Sequence, residues 1–417
     1  MSERHSANIE RLSALYDPAY VRRIETLNGG APVQVCLETR MLQDGAGTGV
    51  ATYARVLARA LGDVGAEPML LNDGREDGSG ARSRALRALS AVRRADRLAK
   101  EQPVEADAPA QWMLADVFRE AQAFFNIHRR LLPVAFSSPP ALMHWTYPVP
   151  IYLVGARNLY TVHDLIPLTH PHLTPIASAR HRRILTAITA RAHGLVTVSE
   201  TMRAHVIDLL DMPEARVHNS YQAVEAPIQA DPPLPAPLRT GRYFLFCGRV
   251  EPRKNLERLA QAHAESGAPL PFVIVGPEVP GAEELERRLN GFPGVIRLSW
   301  VPRADLIGLI RRARALLFAS LAEGFGLPIV EAMTLGCPVL TSNQGAPAEI
   351  AGDAALLVAP QDRPALVRAI QALAADTALC NKLRTLGFER GRVFSPDAYA
   401  RRLRALYDCA LAQAARG

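Results

Sequence analysis

Long apolar runs are missing from this chain of 417 residues: no stretch approaches the ~20 apolar residues a bilayer-spanning helix needs, so a soluble, globular chain is expected. Aromatics are scarce at 6%, and no helix-turn-helix, zinc-finger or RNP-like segment is present, so the net charge of +7 does not read as a nucleic-acid footprint. Cysteines number only five (Cys36, Cys247, Cys337, Cys380 and Cys409). An odd count at wide spacing implies neither a disulfide framework nor a zinc site, and leaves small buried thiols in a reducing compartment. Gly45, Gly47 and Gly49 form G-x-G-x-G, which misses the G-x-G-x-x-G of a dinucleotide fold, and no K-[ST] marks a Walker loop. That argues against NAD and ATP. Residues 1–30 are charged throughout and lack the apolar centre of a signal peptide, so a cytoplasmic protein is expected.

What is present is α/β. The length implies two domains of about 150–220 residues. Strand candidates in the first half are Pro32–Leu37, Met69–Leu71, Leu142–Trp145, Asn158–Val162 and Leu195–Val198; in the second half they are Tyr243–Phe246, Phe272–Val275, Val295–Leu298, Ala315–Phe318, Pro338–Thr341 and Ala355–Val358. Helical patterns lie between them, which implies parallel sheets. Five prolines in Ala226–Gly241 mark a stiff linker, so the expected units are residues 1–225, the linker 226–241, residues 242–394, and a final helix in 395–417 opened by Ser395 and Pro396. Residues 74–109 read as an insertion. Within it, Ala81–Lys100 (Arg82, Arg84, Arg87, Arg93, Arg94, Arg97, Lys100) suggests a basic amphipathic helix. Two readings stay open: contact with an anionic membrane surface, at about 1 kcal/mol per cation, or a solvated arginine-rich face.

The chemistry concentrates in Ser320–Gly336, S-L-A-E-G-F-G-L-P-I-V-E-A-M-T-L-G. Gly324 and Gly326 admit close backbone approach, and Pro328 suits the first turn of a helix whose free amides face an anion. Glu323 in the loop and Glu331 in the helix can hold hydroxyls from separate parts of one polyol ligand. A lone E-x7-E would more often be a turn with two solvated glutamates. Upstream, C-G-R-V-E-P-R-K-N-L places Gly248, Arg249, Lys254 and Asn255 after a strand, where two cations can neutralise a diphosphate. N-L-Y-T-V-H-D places His163 and Asp164 at another strand end; a lone histidine there is usually structural.

Together these segments resemble the nucleotide-binding half of the family 4 retaining glycosyltransferases across nearly all of Tyr243–Pro360, and the wording is similar to bacterial polysaccharide mannosyltransferases. The resemblance implies a GT-B fold, two Rossmann-like domains facing across a cleft, with the last helix returning to the first domain. It implies His163, Arg249, Lys254 and Glu323 as catalytic residues. Donor contacts would come from Gly47, Gly49, Gly248, Asn255, Gly324, Phe325, Gly326, Leu327 and Glu331. The G-T-G-V-A-T-Y segment departs from the family's usual wording, with Ala51 and Thr52 where an arginine often follows. No D-x-D occurs, so the metal clamp of the other large glycosyltransferase fold is missing and metal-free, cofactor-free transfer is expected. The expected reaction moves a hexose, mannose from GDP-mannose being favoured, to a saccharide or polyprenyl-diphosphate-linked acceptor in cell-surface polysaccharide (lipopolysaccharide) synthesis, peripherally at the inner face of the plasma membrane. UDP-glucose and dTDP-rhamnose users share the motifs. The alternatives are a GT-B sugar-nucleotide epimerase and a non-catalytic binder of nucleotide sugar or membrane.

Overall fold

Four residues in succession are buried at the end of β1 (Val33–Glu38), the mark of a strand covered on both faces. The computed structural model describes residues 33–42, 49–74, 90–93, 95–104, 108–225, 232–277, 279 and 281–412. In the first lobe β1 is followed by α1 (Gly49–Asp63), β2 (Ala66–Asn72), β3 (Arg97–Leu98), β4 (Lys100–Gln102), β5 (Ala110–Met113) and α2 (Val117–His128). Then come β6 (Leu132–Ala135), β7 (Leu142–Trp145), β8 (Ile151–Leu153), β9 (Arg157–Val162), α3 (Ile166–Thr169), α4 (Ser178–Thr189), β10 (Gly194–Thr197), α5 (Glu200–Leu210) and β11 (Val217–Asn219). The main sheet has the order β11-β10-β9-β7-β1-β2-β5-β4, parallel except for the edge pair β4 and β5.

The second lobe holds β12 (Phe244–Cys247), α6 (Leu256–Ser266), β13 (Phe272–Val275), α7 (Glu283–Asn290), β14 (Val295–Leu298), α8 (Arg303–Arg312) and β15 (Ala315–Phe318). It continues through α9 (Leu327–Thr334), β16 (Val339–Ser342), α10 (Gly345–Ala351), β17 (Leu356–Val358), α11 (Arg363–Ala375) and α12 (Thr377–Gly391). Its sheet is wholly parallel, β14-β13-β12-β15-β16-β17. Every residue of β12, β13, β15 and β16 is buried, as sheets covered by helices on both faces require.

α13 (Pro396–Ala412) crosses back onto the first lobe. His144 Nδ1 and the Tyr407 hydroxyl lie 2.9 Å apart, Arg157 Nε donates to the Ala410 carbonyl at 2.6 Å, and Tyr399 meets Tyr53 of α1 edge-on at 6.4 Å. One apolar core therefore runs from α1 through α13 into the second lobe.

Two expectations change. The C-terminal part of the expected basic helix is extended: β3 and β4 occupy residues 97–98 and 100–102, because Arg97 finds a buried partner in Glu120, 2.6 Å away and 23 positions along the chain. Arg97 is thus unavailable to a membrane surface. Arg82, Arg84, Arg87 and Arg94 lie outside the described residues. In addition, β3, β6 and β8 form a small third sheet that the sequence pattern does not announce. Among the described residues no helix is long and apolar enough to cross a membrane.

Candidate active site

Strand order dictates where a ligand can sit. In the second lobe β12 and β15 are neighbours while the chain leaves them toward opposite edges, so the loops that follow them diverge and leave a crevice at the carboxyl ends. The first loop opens at Gly248, whose φ of +142 suits glycine; Gly276, at the end of β13, packs so closely that a Cβ there would overlap the Gly248 carbonyl oxygen. A single turn, Pro252–Lys254, then presents two cations.

Lys254 Nζ lies 2.6 Å from Glu323 Oε1, and Arg253 Nη1 lies 2.6 Å from Glu323 Oε2. Arg253 also pairs with Glu251 at 2.6 Å. The Lys254 and Glu323 side chains are each only 8% exposed, so the pair is held out of water, and Lys254 sits over the Phe318 ring at 4.9 Å. Burial alone would raise the Glu323 carboxyl, but the charges of Arg253 and Lys254 win and hold it down at about 2. Burial lowers the Lys254 ammonium, with Glu323 opposing.

The sign for stability follows. An unfolded glutamate takes its proton near 4.5 and the folded Glu323 only near 2, so its contribution is full above pH 4.5 and fades as pH falls through that window. Thermal unfolding of the wild type and of Glu323→Gln from pH 7 to pH 2.5 is expected to show the wild type losing more of its Tm on acidification. Parallel curves would contradict the ion pair.

Glu331, one turn into α9, is bound by Arg303 at 2.6 Å and is 9% exposed. Gly326, with φ +106, is the residue before α9, and Pro328 lies in its first turn. Phe325 is buried edge-on to Phe394 at 5.6 Å. Arg249 is exposed in the loop after β12; the cation that joins Lys254 on the carboxylate is Arg253, which sequence reasoning passed over although it is adjacent. Asn255 adopts φ +59 and its amide donates to the Ala319 and Pro360 carbonyls at 3.0 and 2.7 Å. It ties three loops together with its donor nitrogen, so the donor contact expected of it is corrected to a scaffold role for that group.

The first lobe closes on this loop at one point. A Cβ on Gly324 would overlap the His163 carbonyl oxygen and reach 2.8 Å from its carbon and 3.0 Å from Asp164 Cβ, so the Glu323-Gly324 backbone lies flat against His163. Ser199 Oγ donates to the Gly324 carbonyl at 2.8 Å. Gly49, at the start of α1, faces Leu327, 3.3 Å from where its Cβ would be; Gly47 lies outside the described residues. His163 Nε2 is 2.8 Å from the Thr146 carbonyl, which can only accept, so Nε2 carries the hydrogen; burial lowers the ring's pKa and leaves it neutral. Tyr53 packs edge-on against it at 4.9 Å.

A second bridge between the lobes forms at Glu349. Glu349 of α10 accepts from the Glu200 and Thr201 amides at 2.7 Å each and from the Thr201 hydroxyl at 2.6 Å, capping α5 of the other lobe. Hydrogen bonds to a charged group contribute about 1.5–3 kcal/mol. Glu349→Ala is accordingly expected to lower stability by about 2 kcal/mol in urea titration; an unchanged midpoint would mean that water replaces the cap at no cost.

The arrangement sets a charged carboxylate, a shared lysine and a helix start opposite a neutral histidine, a cleft fit for a polyhydroxylated ligand with an anionic tail. Residues 241–376 match the family model described as Glycosyl transferases group 1. The O-antigen chain mannosyltransferase B of Escherichia coli is 33% identical over 229 residues, which cover 50% of this chain and 59% of that protein. The serotype-specific mannosyltransferase WbdA of Escherichia coli is 28% identical over 273 residues, 60% of this chain but 33% of its own length. Between a third and three fifths of these relatives is thus matched. Among solved structures, the sucrose-phosphate synthase of Thermosynechococcus elongatus superposes with a TM-score of 0.66 at 19% identity, covering 91% of this chain and all of that one. Anabaena HepE in complex with UDP and glucose gives 0.63 at 14%, covering 90% and 99%.

Proposed function

We infer that the chain is a glycosyltransferase: residues 241–376 match the Glycosyl transferases group 1 model, and solved structures share its two-lobed fold. We propose that it transfers a hexose, mannose from GDP-mannose, with retention at the anomeric carbon, to a saccharide or lipid-linked saccharide in cell-surface polysaccharide synthesis. The observation that carries this is the Lys254–Glu323–Arg253 cluster meeting His163 across Gly324. The mannosyltransferase relatives favour the sugar.

Negative charge collects on the departing diphosphate as the anomeric C–O bond breaks. On this reading Lys254, Arg249 and the first amides of α9 would stabilise that charge in place of a metal. Glu323, pinned by two cations, orients sugar hydroxyls instead of attacking. Glu331 is placed for the ribose. Glu251, the other carboxylate of the cluster, is tied to Arg253, so on this reading the acceptor hydroxyl gives its proton to the leaving diphosphate and attacks from the same face. GDP-mannose is bound from solution, and the acceptor is met by the first lobe at a membrane surface.

A nucleotide-sugar panel read by thermal shift tests the donor. A ligand at a hundred times its dissociation constant stabilises by roughly 2.7 kcal/mol, so GDP-mannose should raise Tm where UDP-glucose and dTDP-rhamnose do not. Protection by none of them, or conversion of GDP-mannose into a 2-epimer without acceptor, would overturn the reading.

A further inference from the structure

The first lobe has its own divergence point, where Glu38, Arg40 and Tyr147 are residues to which no donor contact has been assigned. In its sheet β1 and β7 are neighbours, flanked by β2 on one side and β9 on the other, so the chain leaves them toward opposite edges, the arrangement at whose carboxyl edge α/β sheets bind ligands. We propose that Arg40, in the loop after β1, and Tyr147, in the loop after β7, form the subsite that receives the terminal hexose of the acceptor, with Glu38 behind them as a positioning residue. The proposal rests on the transfer reaction above and adds to it the place and chemistry of acceptor recognition.

Arg40 is held in a fixed plane. Its guanidinium carbon lies 5.5 Å from the Phe118 ring centroid and 5.8 Å from that of Tyr147, and its Nη1 donates to the Tyr147 hydroxyl at 3.0 Å. Both Arg40 and Tyr147 are half-buried. A guanidinium has five N–H donors in a rigid fork, so most remain for a pair of neighbouring sugar hydroxyls. Tyr147 accepts from Arg40, which leaves its own O–H to donate. An aromatic surface with a few fixed polar groups is the usual make-up of a small-molecule site.

Glu38 explains why the pair is fixed there. Its carboxylate is fully buried, accepts from the Thr146 hydroxyl, and accepts from the Arg40 amide at 2.8 Å, so one side chain joins both loops. Burial raises Glu38 to about 7 against the opposing pull of Thr146, the Arg40 and Met41 amides and the Arg40 charge, so near neutrality it only partly offsets Arg40. Burial and the Glu38 charge, joined by Asp73 at the end of β2, hold the Tyr147 phenol far above its ordinary value, and it stays protonated. The Thr146 carbonyl in turn receives His163 Nε2, and His163 abuts Gly324 beside Glu323. The subsite therefore stands one loop away from the donor cluster, on the opposite lobe, where an attacking hydroxyl has to arrive.

The test uses the full chain with GDP-mannose as donor and octyl α-mannopyranoside as acceptor probe. Arg40→Ala is expected to raise the octyl mannoside KM at least about tenfold, and Tyr147→Phe about threefold, without a matching rise in the GDP-mannose KM. Arg40→Lys should recover only part of the loss, since an ammonium lacks the fork. An octyl mannoside KM unchanged in Arg40→Ala overturns the subsite. Should that variant fail to fold, Tyr147→Phe and Arg40→Lys decide, and wild-type acceptor KM in both overturns it equally. If GDP-mannose protects the wild-type protein thermally but octyl mannoside is neither glycosylated nor bound, the subsite fails while the donor reading stands. If GDP-mannose gives no protection at all, the transfer reading itself has failed.

Discussion

Glu323→Gln should cost roughly a thousandfold in kcat/KM for transfer, about 4 kcal/mol of transition-state stabilisation. The substitution preserves shape and removes charge, so it isolates what the ion pairs do. Glu323 is gripped from both sides, by Lys254 and Arg253 at 2.6 Å each, and its side chain is 8% exposed. An amide there takes from Lys254 the only carboxylate shown bonded to it, leaving Glu251 as a more distant counter-charge, and breaking a buried pair from one side typically costs about 3–5 kcal/mol. Arg253 is less affected, because Glu251 still holds it. In the proposed reaction Lys254 would then have no fixed position relative to the leaving diphosphate, and the sugar would lose the acceptor assigned to its hydroxyl hydrogens. Steady-state kinetics with thermal unfolding on the same sample separate the two losses: a folded variant with near wild-type kcat/KM would remove Glu323 from the chemistry.

The second large effect concerns a residue with no side chain. Gly324→Ala inserts a methyl group into the His163 carbonyl, a backbone atom that cannot rotate aside. Either the Glu323 loop lifts from the first lobe or the two lobes separate. Both break the 2.8 Å bond from Ser199 to the Gly324 carbonyl and move Glu323 away from His163. A displacement of about 1 Å at a reacting centre can cost on the order of a hundredfold, and that is the expected fall in kcat/KM. The second lobe should still fold, since the core of β12, β15 and β16 lies behind the loop. GDP-mannose binding weakened less than turnover is the expected pattern; full activity would mean that the lobes never meet at Gly324 during the reaction.

Much of this was legible in the sequence, for a physical reason. Strands buried on both faces read as continuous apolar runs, so Phe272–Val275 and Ala315–Phe318 were expected with the bounds the structure gives them. The loops that hold the cluster were legible because glycine and proline fix backbone where strands end. Pairings distant in sequence were not. Arg303 reaches Glu331 across 28 positions, and Glu349 reaches α5 across 149, through contacts that no local pattern encodes. Glu38 lies just past the expected strand Pro32–Leu37 and carries no local signal; only the neighbouring β7 loop turns it into a junction. The strands of the small third sheet are two to four residues long, too short for a period to show. The arginine-rich segment misled because arginine suits a solvated helix as well as the ion pair Arg97 makes with Glu120.

A crystal structure of the full chain with GDP-mannose bound tests the whole arrangement most directly. The diphosphate is expected beside Lys254 and Arg249 at the start of α9, the ribose at Glu331, and the mannose between Glu323 and His163. Nucleotide bound away from the groove between the lobes, or mannose out of hydrogen-bonding reach of Glu323, would contradict it.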